Sequence, residues 1–246
     1  MTTTGRGAWS QIGKDNGEFY YKFTPHKALD GSTPDKGDDY LAVNLGVKSI
    51  QARLVELGFD ANISNVQIDG IFGRKTLRMV KRFQIEAWPT ASADANDGTV
   101  GTRTAPELFK GYIAGVANGY NNVDEAVLYG LVCQESGFDP GAVGVFTPGD
   151  HGLFQINTNN GSVTVAQAHD YAIATELMAD RFSNAYKHFS GKGPLIRKSA
   201  SIAQHNSPVW AQQYYDSGGV WPNVFIEAYV NNVLGFAAKY TPAVVA

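Results

Sequence analysis

The chain has 246 residues, of which 43% are hydrophobic and 17% are charged, and its formal net charge is −3. This composition excludes a disordered chain and provides enough apolar residues for one large core or two smaller ones. No run approaches the roughly 20 consecutive apolar residues of a membrane-spanning helix, and residues 1–6 lack the apolar stretch of a secretory signal. We therefore expect synthesis in the cytoplasm without a signal peptide and no insertion into a membrane.

The cysteine and histidine content excludes the common metal and disulfide frameworks. Cys133 is the only cysteine, so neither an internal disulfide nor a Cys-rich zinc module is possible. The five histidines form no His-Glu-x-x-His pair. We predict no metal and no cofactor.

Charge is distributed unevenly along the chain. Residues 1–110 carry 14 Lys+Arg and 13 Asp+Glu, whereas residues 111–246 carry 6 and 10. The small basic clusters at residues 74–75 and 81–82 lie among apolar residues and are interpreted as the solvated side of a helix. We therefore predict no nucleic-acid partner.

Residues 1–40 form the first segment, which is rich in Gly, Asp and Lys. Its aromatic run, residues 19–23, predicts an isolated strand. The sequence assigns this segment no function.

A short internal repeat marks residues 41–110. The segment 69–76, with sequence DGIFGRKT, recurs 28 residues later as DGTVGTRT at 97–104. In each copy Asp-Gly favours a tight turn, the second Gly can take positive φ, and the Thr can cap a following helix. In the second copy, residues 104–107 have the pattern of a capping box with Pro in the first turn.

Apolar residues at helical spacing flank these turns. They are Val47, Ile50, Leu54, Leu57, Leu77, Val80 and Phe83. The pattern predicts three short helices around one small core.

This segment resembles the three-helix peptidoglycan-binding module of bacterial and phage wall hydrolases. The motif residues that carry the resemblance are Asp69, Gly70, Phe72, Gly73, Thr76, Asp97, Gly98 and Gly101. The resemblance implies that residues 41–110 bind the cell wall. Because these residues are nearly all caps, turns and core, a purely structural role for the module is the open alternative.

The stretch 111–122 is dense in Gly and Asn and has the composition of a connection. We predict that it is a linker and that residues 123–246 form a second domain. A helix is indicated from Asp124, with an apolar stripe that ends near Gly137. Glu135 shares the face of that stripe, and burial there disfavours the charged carboxylate, as a general acid requires.

The sequence after this helix resembles the lysozyme-like superfamily. Glu135-Ser136 and the Gly-Leu-Phe-Gln segment at 152–155 resemble the soluble lytic transglycosylase branch, whereas Asp150 has the placement seen in animal lysozymes. Residues 202–208 resemble the Ala-x-Tyr-Asn-x-Gly segment of that branch, with His205 in place of Tyr and Ser-Pro in place of Gly. Residues 227–233 resemble its late Glu-Thr-x-x-Tyr-Val helix, shortened between Glu and Tyr.

The resemblance implies a catalytic role for Glu135 as general acid. The side chains that it places in or beside the sugar site are Ser136, Gln155, Asn157, Asn206 and Tyr229. It implies cleavage of the β-1,4 bond between N-acetylmuramic acid and N-acetylglucosamine, as a lytic transglycosylase. The alternative is a hydrolytic muramidase in which Asp150 is the second carboxylate.

Two further alternatives belong to other classes of protein. Cys133 could act as a nucleophile with His151 or His205 as its base, in a wall amidase or endopeptidase. A non-catalytic wall-binding virion protein is the second.

The sequence as a whole predicts a mainly α-helical, monomeric protein that degrades peptidoglycan. A small three-helix wall-binding domain precedes a lysozyme-like catalytic domain. This layout, without a leader, resembles a phage endolysin for host cell lysis or a virion-associated lysin that acts on the bacterial cell wall.

Overall fold

The computed structural model describes residues 10–15, 18–22, 38–91, 96–144 and 149–241. The protein is mainly helical, as the sequence predicts. Its helices are α1 Asp38–Glu56, α2 Arg74–Ala87, α3 Thr104–Asn118, α4 Glu125–Glu135, α5 Val165–His169, α6 Tyr171–His188, α7 Pro194–Asn206, α8 Pro208–Asp216 and α9 Val224–Ala237. None of the helices in these ranges is both long enough and apolar enough to span a bilayer.

Strands are few and short. β1 Ser10–Asp15 pairs antiparallel with β2 Glu18–Lys22, so the strand predicted in the aromatic run is paired, and the expectation of an isolated strand is wrong. A strand seldom stands alone because its backbone N–H and C=O groups need partners. β3 Asp150–His151 and β4 Ile156–Asn157 form a second antiparallel pair.

The described residues divide into two compact units. The first unit contains the chain up to Gly111 together with Ser136–Ala174, and the second contains Tyr112–Glu135 and residues 175–241. The domain bounds at 41–110, 111–122 and 123–246 stay a prediction.

In the first unit, one glutamine organises the first copy of the repeat. The Gln51 side-chain amide donates to Asp69 Oδ1 (2.9 Å), to the carbonyl of Ile71 (3.0 Å) and to Thr76 Oγ1 (3.0 Å). Its Oε1 accepts from the amide of Gly70 at 2.9 Å. A single buried side chain therefore fixes the Asp-Gly turn and the first turn of α2.

Gln84 does the same in the second copy. Its amide donates to Asp97 Oδ1, to the carbonyl of Thr99 and to Thr104 Oγ1, and its Oε1 accepts from the amide of Gly98. The sequence repeat thus corresponds to a repeated hydrogen-bond pattern with glutamine at its centre.

The predicted capping role of Thr76 is wrong, whereas that of Thr104 stays a prediction. Gly73 is the N-cap of α2, and Thr76 lies inside the helix. Thr104 Oγ1 accepts from Gln84, and Glu107 pairs with Lys110 at 2.6 Å. The glutamine amides supply a donor that each hydroxyl accepts, which local sequence spacing does not reveal.

The three predicted helices are present as α1, α2 and α3, but they are longer than expected. Of the apolar residues predicted to pack between them, Val47, Ile50, Leu54, Val80 and Phe83 are fully buried, and Leu57 and Leu77 are half-buried.

Residues 111–118 form the second half of α3, so the predicted linker at 111–122 begins inside a helix. Phe109, Ile113 and Ala117 recur at i, i+4 and i+8, and all three are buried. This periodicity stabilises α3 despite the Gly content, because burial of one helix face outweighs the roughly 1 kcal/mol that each Gly costs relative to Ala.

The first unit also joins α1 to the segment around α5. Ser49 Oγ donates to the carbonyl of His169 at 2.5 Å and accepts from the amide of Tyr171 at 3.2 Å. The Tyr171 hydroxyl donates to Glu56 Oε2 at 2.5 Å. Residues beyond the predicted wall-binding module thus pack directly against its first helix.

Candidate active site

Glu135 is the last residue of α4, in the second unit. The helix begins as predicted, since Asp124 Oδ1 accepts from the amide of Ala126 at 3.0 Å. Its apolar stripe is buried, with Val127, Leu128, Leu131 and Val132 at 1% exposure or less. The Glu135 side chain keeps 15% of its surface exposed, so it is largely covered by protein but still reaches solvent.

Tyr229, on α9, contacts this carboxyl directly. Its hydroxyl donates a hydrogen bond to Glu135 Oε1. Burial raises the pKa of Tyr229 well above its usual value of 10, and the negative charge of Glu135 and the hydrogen bond raise it further. The phenol therefore stays protonated and acts as a donor at neutral pH.

A close approach of α4 and α9 makes this contact possible. A Cβ at Gly130 would lie 2.3 Å from the carbonyl oxygen of Val233 and 3.1 Å from the amide nitrogen of Ala237. Only glycine lets the two backbones come this near. The helix that carries Glu135 is thereby held against the helix that carries Tyr229.

His205 is a neighbour of Glu135 that the sequence analysis did not include among the site residues. Its Nε2 lies 3.4 Å from Glu135 Oε1, and its side chain is 11% exposed. The signal was present in the sequence, because His205 occupies the Tyr position of the Ala-x-Tyr-Asn-x-Gly segment.

Both contacts fall on the same oxygen of the carboxyl group. Among the described residues of the second unit, Oε1 accepts from Tyr229 and faces His205, so Oε2 is the oxygen left to carry a proton. A carboxyl anchored through one oxygen and partly exposed to solvent suits proton transfer to a bound substrate.

Asn206 follows His205 as the last residue of α7 and is exposed. Its side chain is therefore accessible to a ligand.

Two predicted sugar-site residues of the first unit hydrogen-bond to one turn. Ser136 Oγ donates to the carbonyl of Leu153 at 2.8 Å, and Gln155 Nε2 donates to the carbonyl of Gly152 at 3.0 Å. Gln155 has a φ of 46°, which is uncommon for a residue with a side chain. These bonds fix the shape of the 152–155 turn.

Asp150 and Asn157 face each other across the β3–β4 pair. Asn157 Nδ2 donates to Asp150 Oδ1 at 2.8 Å, and Asn157 Oδ1 accepts from the amide of Asn159 at 3.1 Å. The structure brings these two predicted residues together, and Asp150 has an amide as its partner.

Two family models match the chain. One describes a peptidoglycan binding domain and covers residues 44–105, and the other describes the transglycosylase SLT domain and covers residues 113–189. The chain has the layout of a modular peptidoglycan-lytic enzyme. Its SLT domain indicates a lytic transglycosylase that acts on the glycan strands of peptidoglycan. No curated protein matches the sequence.

The SLT match contains Glu135 and the 150–157 segment but ends before α7. His205, Asn206 and Tyr229 therefore lie outside the matched residues. In this lytic enzyme the contacts of Glu135 with His205 and Tyr229 come from the tertiary structure.

In the wall-binding module, the described contacts of the motif residues are internal. Asp69 and Asp97 each accept from their glutamine and from the amide two residues later. Gly70 and Gly98 lie in the turns and have φ values of 79° and 83°. Gly73 is the N-cap of α2, and the carbonyl of Gly101 accepts from the amide of Ala105 at the start of α3. Phe72 is fully buried in the core. These contacts fix the turns and the core of the module.

The surroundings of Cys133 do not favour a nucleophilic thiol. Burial raises the pKa of Cys133 to about 11, although a hydrogen bond from Tyr129 opposes this rise. Only a very small fraction of the thiol is ionised at neutral pH, whereas the thiolate is the nucleophile. Of the two candidate bases, His205 contacts Glu135, and His151 packs against His169 with ring centroids 5.2 Å apart.

Proposed function

We propose that this lytic enzyme cleaves the β-1,4 bond between N-acetylmuramic acid and N-acetylglucosamine with Glu135 as its single acid and base. The observation that carries the proposal is the anchoring of Glu135 through Oε1 alone, which leaves Oε2 for proton transfer. Tyr229 positions the carboxyl, because its phenol stays protonated at neutral pH and donates to Oε1.

The reaction uses the same carboxyl twice. Glu135 first gives its proton to the glycosidic oxygen, and the bond from that oxygen to the muramic acid C1 breaks. The C6 hydroxyl oxygen of the same sugar then bonds to C1 while its proton passes to the Glu135 carboxylate. The products are a 1,6-anhydro-muramic end and a free 4-hydroxyl, and the carboxyl regains its proton.

Hydrolysis would instead require a second carboxylate, either as a nucleophile or to activate water. The groups that meet Glu135 within the second unit are a phenol and an imidazole. Asp150 accepts from Asn157 across its strand pair, which is a contact that a structural role explains. These contacts and the SLT match favour the non-hydrolytic reaction.

Mass spectrometry of muropeptides released from purified sacculi tests the reaction. We expect muramic ends that are 18 Da lighter than the hydrated product, since the anhydro ring corresponds to the loss of one water. We also expect Asp150→Asn to keep most of the activity. Reducing ends, together with a large loss of activity in Asp150→Asn, would instead establish a two-carboxylate muramidase.

Replacement of Glu135 tests the acid. Glu135→Gln keeps the shape of the side chain and an oxygen that can accept from Tyr229, but it has no proton to give, and general acid catalysis typically contributes about 10²–10⁴-fold. Glu125→Gln, at the first turn of the same helix, is the matched control and should retain activity. Glu135→Gln with more than a tenth of wild-type activity would refute the assignment.

We also propose that the enzyme acts in bacterial cell lysis, as an endolysin or a virion-associated lysin, with its N-terminal module holding it on the wall. The match to a peptidoglycan binding domain beside a catalytic domain supports this role, because tethering raises the local enzyme concentration. One chain carries both functions, so we expect a monomer. Purified protein added to outer-membrane-stripped cells should clear their turbidity without added metal, and intact turbidity would contradict the lytic role.

A further inference from the structure

Positive charge in the second half of the chain is concentrated in one short segment. Residues 181–198 contain five of the six Lys and Arg residues of 111–246 and no Asp or Glu. These five are Arg181, Lys187, Lys192, Arg197 and Lys198. The ten acidic residues of the same half lie outside this segment, although Asp124 pairs with Lys198 and Asp180 directly precedes Arg181.

A cavity of about 440 Å³ opens beside this segment within the second unit. It is lined by the turn at residues 119–122, by Ser183 and Lys187 on α6, and by Arg197 on α7. The described residues that line it include two cations and no carboxylate. We call it the basic cavity.

The walls of the basic cavity are fixed by hydrogen bonds between its elements. Asn122 Nδ2 donates to the carbonyl of Ser183 at 3.1 Å, and Ser183 Oγ donates back to Asn122 Oδ1 at 2.9 Å. Lys198 binds Asp124 Oδ2 at 2.8 Å, which attaches α7 to the start of α4. The cavity is therefore formed before any ligand arrives.

Arg197 is held in place in the cavity wall. Its Nε and Nη2 donate to the carbonyl of Tyr186 at 3.3 and 2.9 Å, and its guanidinium carbon lies 4.0 Å from the centroid of the Tyr186 ring. These contacts fix the guanidinium plane, and no hydrogen bond from Nη1 is present within the described residues, so Nη1 can donate to a ligand. A cation with little rotamer freedom left to lose binds an anion at a lower entropic cost.

Lys187 supplies the second charge from the exposed surface of α6. A flexible ammonium beside a fixed guanidinium suits an anionic group on a larger molecule, since the lysine can adjust to the ligand while the arginine sets its orientation.

The basic cavity lies at the other end of α4 from Glu135. Asn122 comes just before the helix, and Glu135 is its last residue, so the eleven residues of α4 separate them. At a rise of 1.5 Å per residue this is about 16 Å. The cavity is thus separate from the carboxyl that carries the chemistry.

We propose that the basic cavity binds a carboxylate of a peptidoglycan stem peptide. This inference rests on the proposed function, because each muramic acid of that substrate carries a peptide with free carboxylates. The cavity volume is in the range of small-ligand sites, roughly 300–1,000 Å³, and therefore admits a peptide segment as well as its carboxylate. The site adds wall affinity to the catalytic unit itself.

The test compares two substrates in the full-length enzyme. One is glycan strands with their stem peptides, and the other is the same strands after an amidase has removed the peptides. We expect Lys187→Met to raise KM about 5–10-fold on peptide-bearing strands, with kcat unchanged, and to leave KM on peptide-free strands unchanged. Lys192→Met removes the same charge from an exposed lysine outside the cavity and should change neither value.

Arg197→Lys separates charge from geometry. It keeps the positive charge but loses the planar guanidinium held by Tyr186, so we expect it to raise KM on peptide-bearing strands as well. Direct binding to the inactive Glu135→Gln protein provides a readout that does not depend on turnover. We expect a soluble stem peptide to bind, and binding to weaken at least fivefold for the same peptide with amidated carboxylates and in a Lys187→Met background.

Two results would overturn the proposal. If Lys187→Met raised KM equally on both substrates, the cavity would not recognise the peptide. An effect that appears only on sacculi carrying phosphate polymers, and disappears after acid removes those polymers, would assign a phosphate ligand instead. If the enzyme forms no anhydro ends but Glu135→Gln still binds the peptide, the proposed reaction fails and the peptide site stands.

Discussion

The Tyr229 hydroxyl donates a hydrogen bond to Oε1 of Glu135, which connects residues 94 positions apart in the sequence. Tyr229 lies on α9 and is 9% exposed, so the bond forms in a largely dry environment, where it becomes strong once the carboxyl has given up its proton and is charged. It fixes one oxygen of the carboxyl.

Tyr229→Phe should lower kcat about 10–100-fold. The ring remains, so the core of α4 and α9 is kept, but the hydrogen bond that stabilises the carboxylate after proton transfer, worth about 1.5–3 kcal/mol, is lost. Release of soluble muropeptides from sacculi measures the effect. Tyr215→Phe is the matched control, since it removes a hydroxyl that accepts from the amide of Gly191 in the same unit. A Tyr229→Phe enzyme with more than half of wild-type kcat would show that the contact does not position Glu135.

Gly130→Ala should destabilise the protein and reduce its activity. The new methyl group would lie 2.3 Å from the carbonyl oxygen of Val233, so α4 and α9 must separate, and overpacking of this kind costs about 1–3 kcal/mol. Gly235→Ala is the control, because a Cβ at Gly235 in α9 meets nothing within 4 Å. There the better helix propensity of Ala should stabilise the protein by about 0.5–1 kcal/mol. Urea unfolding measures the change in the free energy of unfolding for both variants. If Gly130→Ala stabilised the protein as Gly235→Ala is expected to do, the close approach of the helices would be contradicted.

Cys133 should be dispensable for catalysis. Since burial raises the pKa of its thiol to about 11, iodoacetamide at pH 7 should modify the native protein far more slowly than the urea-unfolded protein. Cys133→Ala should retain more than half of wild-type activity. Rapid alkylation of Cys133 in the native protein with parallel loss of activity would support the amidase or endopeptidase interpretation instead.

His169 should make the protein less stable in acid. Burial lowers its pKa from 6.5 to about 4, its bond to the carbonyl of Pro140 opposes this, and the nearby His151 lowers it further. Above pH 6.5 the ring is neutral in both the folded and the unfolded state, so its full contribution to stability is present. As the pH falls from 6.5 to 4 the unfolded state takes up the proton first, and about 3 kcal/mol is progressively lost.

His169→Gln should therefore flatten the pH dependence of the free energy of unfolding between pH 6.5 and 4. Urea unfolding at several pH values measures it. His188→Gln, at an exposed histidine of α6, is the matched control for the loss of an imidazole. An identical slope in wild type and His169→Gln would mean that this histidine is not held neutral by the fold.

Local patterns in the sequence predicted the helices α1 to α4 and the position of Glu135 at the end of α4. Asp124, the apolar stripe of α4 and Gly137 lie within 14 residues of one another, so helical periodicity alone places Glu135 at the helix end on the buried face. Tyr229 entered only through resemblance to a family, because no local spacing relates it to Glu135.

Other features depend on contacts between residues far apart in the sequence. Gln51 and Gln84 become the centres of the repeat only when they meet the Asp-Gly turns, 19 and 14 residues away. The length of α3 was missed because the Gly and Asn content of residues 111–122 resembles a loop, while burial of Ile113 and Ala117 stabilises a helix.

The sequence by itself determined the helical character, the turn repeat and the placement of Glu135, since these follow from interactions within a few residues. Only the tertiary structure decided that Tyr229 and His205 meet the same oxygen of Glu135, that Gly130 admits the backbone of α9, and that Lys187 and Arg197 share a cavity. These pairs are joined by packing between helices, whose relative positions depend on burial across the whole unit rather than on any spacing along the chain.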